Sequence, residues 1–119
     1  MSSPVTTSID ALRQASEQRN AELLISMYAD DAVMQIVDKN NPPSSPLTLR
    51  GKQAIAEFLK DICSRDMTHQ VIDEVVGKDR ISFNEACQYA SGERVLAASV
   101  LDLQNGKIVR HVTVEAWDE

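Results

Sequence analysis

Ala21-Glu-Leu-Leu-Ile-Ser-Met-Tyr28-Ala-Asp30-Asp31-Ala-Val-Met-Gln-Ile36 is the stretch on which the fold turns. Leu23, Leu24, Met27 and Tyr28 recur at helical spacing and predict a short amphipathic helix ending at Tyr28. Asp30-Asp31 breaks it, because a short carboxylate bonds nearby backbone amides in turns. From Ala32 to Val37 the period is two, with Met34 and Ile36 on one face and Val33, Gln35 and Val37 on the other. Helix therefore passes directly into strand.

Working outward, the chain is helical before this stretch and almost wholly extended after residue 65. Thr7 or Ser8 can cap a first helix whose face is Ile9, Leu12, Ala15 and Ser16, and Asn20 caps the second. Residues 1–7 are expected to be a polar tail and 8–119 a single domain. Asp38–Pro46, with its prolines, reads as a stiff surface loop. A loop closing on Gly51 launches a third helix with Ala54, Ile55, Phe58, Leu59 and Ile62 inward. Strands are predicted at about 67–76, 80–90, 94–104 and 107–117 from their alternation. Asn105-Gly106 marks the last hairpin, since both central residues of such a turn need positive φ. Three N-terminal helices followed by a meander predict an α+β fold with the helices packed in a curved, mostly antiparallel sheet.

At 119 residues and a formal net charge of −6, the chain is sized for one core and lacks the basic footprint of a nucleic-acid or anionic-membrane binder. No apolar run approaches the ~20 residues of a membrane helix, and the start has no basic region or apolar core of a secretory signal. Cys63 and Cys87 lie far apart without metal-type spacing. They read as reduced, structural thiols, and a cytoplasmic protein is expected.

Ala21–Ile36, with Leu49-Arg-Gly-Lys-Gln-Ala-Ile-Ala-Glu-Phe-Leu59 behind it and Asn105-Gly-Lys-Ile-Val109 near the end, resembles the nuclear transport factor two-like superfamily. Within it the chain is most similar to the ketosteroid isomerase and SnoaL-like polyketide cyclase branch. The resemblance spans about residues 8–118 and implies a cone-shaped α+β barrel with a hydrophobic cavity, often as a homodimer. It is unspecific for chemistry, because this scaffold hosts isomerases, dehydratases, cyclases, hydrolases and non-catalytic binding modules. The isomerase's first-helix tyrosine falls on Leu12, its aspartate base on Ile36, and its second aspartate near Ser99. Leu12 and Ile36 cannot move a proton. Only Tyr28 matches a family tyrosine.

The candidate acid–base groups are therefore elsewhere. His111, Thr113, Glu115 and Trp117 share a parity on the last strand, opposite Ile108, Val112, Val114 and Ala116. The plain reading is a solvated polar face; the family register turns that parity toward the pocket. His111 and Glu115 then stand about 13 Å apart along the strand, too far to bond each other but able to share a ligand. His69, on the strand after the third helix, is a further proton-transfer candidate, against the alternative of an edge histidine. Tyr28 is a catalytic candidate or a core residue with a satisfied hydroxyl. The expected ligand-binding lining is Leu12, Met34, Ile36, Phe58, Ser99, Leu101, Thr113 and Trp117. No spacing requires a metal, and no cofactor is expected. The expectation is a domain binding a small hydrophobic molecule; if catalytic, it isomerises, dehydrates or cyclises by proton transfer. The rival reading is a non-catalytic ligand-binding or dimerisation domain.

Overall fold

In a computed structural model that describes residues 7–118, the chain forms three helices and a six-stranded sheet. The helices are α1 (Ile9–Glu17), α2 (Ala21–Ser26) and α3 (Lys52–Ser64). The strands are β1 (Tyr28–Val37), β2 (Leu47–Arg50), β3 (Met67–Val76), β4 (Arg80–Tyr89), β5 (Arg94–Gln104) and β6 (Lys107–Trp117). Their spatial order is β2-β1-β6-β5-β4-β3, so the sheet is open, with β2 and β3 as its edges. Every pairing is antiparallel except β1 with β6, which makes the sheet mixed.

Local chemistry fixes the helix ends. The Ser8 hydroxyl accepts from the Ala11 amide at 3.1 Å, and Asn20 Oδ1 accepts from Leu23 N–H at 3.1 Å. Each satisfies one of the orphan donors that begin a helix. Gly51 starts α3 at φ +89° and ψ 154°, a conformation open essentially to glycine alone. Asn105 and Gly106 both have positive φ (53° and 77°), as a two-residue hairpin turn requires.

The boundaries differ from the sequence reading at the pivotal stretch. The second helix stops at Ser26, and Tyr28 already belongs to β1. Leu47–Arg50, read as loop, is an edge strand pairing Gln35 with Thr48 and Met34 with Leu49. A strand of four residues is too short for alternation to announce it. Of the expected tail, residues 1–6 lie outside the described residues. Thr7 is buried: its amide donates to Gly106 O at 2.9 Å and its hydroxyl to Met27 O at 3.3 Å.

Register irregularities bend the sheet round the helices, lying between Ile72 and Val75 in β3, between Asp102 and Leu103 opposite β6, and between Tyr28 and Val33 in β1. Asp73 takes φ 57° at the first of these, and Asn84 Nδ2 donates to its carboxylate at 3.1 Å. Asp73 is exposed as a result and does not share the inward face of His69 and Val71. The irregularity near Asp102 likewise turns Ile108 inward, where it is fully buried, although strict alternation puts it on the outer face.

The buried residues form a large cluster and a smaller one of Met67, Cys87 and Val95. α1 lies against β3, α3 against β1, and α2 touches both other helices. Leu12, Ala15, Leu24, Met27, Met34, Ile36, Ile55 and Leu101 are buried in the large cluster.

Candidate functional site

Cross-strand register sorts the inward side chains of the sheet into rows. Ile81, Leu101 and His111 form one row, continued by Met34. Phe83, Ser99 and Thr113 form the next, continued by Ile36, and Glu85, Ala97 and Glu115 the one after it. Cys87, Val95 and Trp117 complete the series toward the open end. Above these rows the helices leave a hollow of about 340 Å³, lined mostly by apolar side chains.

His111, Glu115, His69 and Tyr28 all line the hollow, as do Leu12, Met34, Ile36, Phe58, Ser99, Thr113 and Trp117. Leu101 is the exception. It is fully buried in the packed core and takes no part in the lining, although its row-mates His111 and Met34 do.

The deepest polar feature is a chain of hydrogen bonds. Tyr28 Oη stands 2.8 Å from His111 Nδ1, and His111 Nε2 stands 3.2 Å from Ser99 Oγ. Ser99 Oγ is in turn 2.9 Å from Thr113 Oγ1. Burial lowers the His111 pKa to about 4, with the Glu85 charge acting in the opposite direction, so the ring is neutral at pH 7. Burial, with Glu85 adding to it, raises the Tyr28 phenol and keeps it protonated. A neutral imidazole carries one ring proton, and the chain accepts it in either polarity. With the proton on Nε2, Tyr28 donates to Nδ1, Nε2 donates to Ser99, Ser99 donates to Thr113, and the Thr113 hydroxyl hydrogen is free. With the proton on Nδ1 the order reverses, and Tyr28 has the free hydrogen. The four side chains thus form a relay that can present a donor at either end.

Glu115 is half-buried one row nearer the mouth. Burial raises its pKa, while a bond from the Trp117 indole N–H, 3.3 Å from Oε1, works against that rise. The small Ala97 between Glu85 and Glu115 leaves their side chains room, and the Glu85 charge also pushes Glu115 up. Trp117 stacks on Tyr89 at 5.9 Å, and Lys39 Nζ lies 5.2 Å from its ring centroid. Arg65 Nη1 donates to the Tyr89 hydroxyl at 2.8 Å. Trp117, Tyr89 and Arg65 give the hollow a polar, aromatic rim.

Two further lining residues, Glu85 and Cys87, were not candidates from sequence. Their shared inward parity on β4 was readable, but their partner His69 belongs to a different strand. His69 Nδ1 is 2.8 Å from Glu85 Oε2 and 3.2 Å from Cys87 Sγ. Its Nε2 is buried with no hydrogen-bond partner. Burial, reinforced by Glu85, raises the Cys87 thiol well above its ordinary pKa.

A cone of three helices in an open, bent sheet is the NTF2-like fold. The chain belongs to the SnoaL-like domain family, whose pattern matches residues 9–111. An NTF2-like protein from Mesorhizobium loti superposes with a TM-score of 0.79 at 16% identity, covering 91% of this chain and 87% of the other. One from Burkholderia xenovorans gives 0.74 at 17% identity, covering 93% and 80%. A Kribbella flavida protein provisionally assigned as a ketosteroid isomerase gives 0.72 at 15% identity, covering 92% and 74%. Likeness at these identities concerns the fold. Among curated proteins none matches the sequence.

Proposed function

We propose that the hollow binds a compact apolar molecule carrying a carbonyl or hydroxyl oxygen, and that the site moves a proton on it without a redox cofactor. The observation that carries this reading is the Tyr28–His111–Ser99–Thr113 relay set in a mostly apolar wall. A volume of about 340 Å³ lies at the lower end of small-molecule sites.

His111 serves the relay as a neutral ring, not as the primary base, because both its nitrogens are occupied. The base is Glu115, whose raised pKa suits proton exchange with carbon acids better than that of an exposed carboxylate. Thr113 and Glu115 are two residues apart on one face, about 7 Å along the strand. The hydroxyl can therefore donate to a ligand oxygen while the longer Glu115 side chain reaches a neighbouring C–H. Thr113 keeps its proton throughout, its hydroxyl held in donor polarity by Tyr28, His111 and Ser99, and Glu115 returns the proton it has taken to another atom of the ligand. Isomerisation, dehydration and cyclisation share this step. His69 stands outside this relay.

A panel of compact cyclic ketones and alcohols, tested by thermal shift, should yield binders that raise the melting temperature. Solvent-deuterium exchange beside the carbonyl, followed by NMR, then tests proton transfer. Exchange should be lost in Glu115→Gln while binding remains. No binder in the panel, or exchange equal in wild type and variant, defeats the catalytic reading.

The rival reading, a non-catalytic binding module, is favoured by the apolar Leu12 and Ile36; binding without exchange decides for it. In either case we propose a cytoplasmic homodimer joined through the outer sheet face, where Leu96 and Val114 are 48% and 50% exposed beside Ala98, Val100 and Val112. A monomeric mass by analytical ultracentrifugation at micromolar concentration would rule the dimer out. Among the described residues no helix is long and apolar enough to cross a membrane.

A further inference from the structure

His69 and Cys87 are direct cross-strand partners on β3 and β4, and Glu85 is the next inward residue of β4. The pleat therefore aims an imidazole, a thiol and a carboxyl group at one spot on the hollow's wall. The three atoms form a closed triangle: Nδ1 to Oε2 2.8 Å, Nδ1 to Sγ 3.2 Å, and Sγ to Oε2 3.5 Å.

The triangle does not fit a nucleophilic cysteine. Such a site places the thiol on one ring nitrogen and the orienting carboxylate on the other. Here both meet Nδ1, while Nε2 is buried and unpartnered. Convergence of a nitrogen, an oxygen and a sulfur on a single point is instead what a metal ion asks of its ligands.

We propose that His69, Glu85 and Cys87 form a binding site for one zinc-type divalent cation, with its remaining coordination position open to the hollow. The triangle has a circumradius of about 1.9 Å, so a point about 1 Å out of its plane lies about 2.1 Å from all three atoms, close to zinc–ligand bond lengths. Separations near 3.3–3.6 Å, expected for a tetrahedral set, require the groups to part by only a few tenths of an ångström. His69 and Cys87 are 9% and 8% exposed, which shields the site from bulk water, and the lining position of all three leaves it reachable. On binding, the cation replaces the Cys87 S–H proton, which passes to solvent. His69 ligates as a neutral ring through Nδ1, with its proton on Nε2. That nitrogen has no carboxylate or carbonyl to hold it, so affinity falls below that of zinc sites with a complete outer shell. The half-buried Arg65 and Tyr89 of the rim bond each other and are not ligands. Glu115 stands in the same row as Glu85, beyond Ala97, and is a second carboxyl group near the site.

The test is a titration of chelator-treated full chain with Co2+, followed by Zn2+ competition. The expected result is one equivalent of bound cobalt with visible tetrahedral bands and a near-ultraviolet thiolate-to-cobalt band, all displaced by zinc. The thiolate band should disappear in Cys87→Ser, binding should weaken at least tenfold in His69→Ala and Glu85→Gln, and Cys63→Ser should bind as wild type. Far-ultraviolet circular dichroism checks each fold; should His69→Ala unfold, His69→Gln takes its place. Absence of the thiolate band in the wild type, its survival in Cys87→Ser, or its loss in Cys63→Ser overturns the proposal. None of these readouts depends on the proton-transfer reading.

Discussion

Acidification should weaken this fold through His111, and the effect can be sized. The ring is neutral and hydrogen-bonded at both nitrogens when folded, with a pKa lowered to about 4, against 6.5 for a free side chain. A depressed folded pKa means that the unfolded chain takes up the proton first. The associated stability is complete above about pH 6.5 and lost as the pH falls toward 4. From those two values, about 2 kcal/mol is lost by pH 5 and about 3 kcal/mol by pH 4. These are upper figures, because the ring keeps an edge toward the hollow. Glu115 works in the opposite sense: its raised pKa lets the folded state bind a proton before the unfolded one. Asp102, held low first by its bond from Arg80 and further by Arg110, matters only as the pH falls into the carboxylate range. Both contributions cancel in a comparison of wild type with His111→Gln. Urea unfolding at pH 7.5 and 5 should show the wild type losing about 2 kcal/mol more than the variant over that interval. Parallel profiles within about 0.5 kcal/mol, or an imidazole pKa by NMR at or above its free value, would refute the burial argument.

Tyr28→Phe removes one relay hydroxyl and leaves His111 Nδ1 unpaired, and should cost about 1–3 kcal/mol in urea unfolding. Leu101→Ala and Ile36→Ala should each cost about 2–5 kcal/mol, since both side chains are buried. Only Ile36→Ala should shift binding toward bulkier ligands in a thermal-shift series, because Leu101 does not touch the hollow. Gly51→Ala should cost about 1–3 kcal/mol for backbone reasons alone, since an added Cβ would meet Asp30 O at an ordinary 3.9 Å. Equal stability of that variant and wild type in thermal melts would contradict the conformational reading.

Most of the scaffold was legible because it is built from periodic segments. The last four strands fall almost where alternation puts them, and His111, Thr113 and Glu115 share the inward face that the family register implies. What escaped is what breaks a period. Tyr28 continues a helical stripe in sequence, yet the chain has already become strand, so its hydroxyl faces His111 from β1. Ile108 and Asp73 change face at irregularities that no alternation can foresee. The meeting of His69 with Glu85 and Cys87 depends on the exact pairing of β3 with β4. A one-residue slip would turn those side chains to opposite faces.

The same register explains how a chain without the isomerase's carboxylates can still have a polarised interior. Ile36 removes the charge from the β1 wall, and Leu12 makes the α1 wall apolar. On the facing strands the acids reappear one row nearer the mouth, as Glu85 and Glu115 flanking Ala97. Charge close to the rim costs less desolvation than charge at the bottom of the cone. The neutral relay occupies the deep rows instead, where an ionised aspartate would be expensive. A ligand entering past Trp117 would meet the carboxylates first and the hydroxyls of Thr113 and Tyr28 last. On the proposed reading its oxygen would be drawn inward toward neutral donors, and the C–H bonds beside it would stay within reach of Glu115.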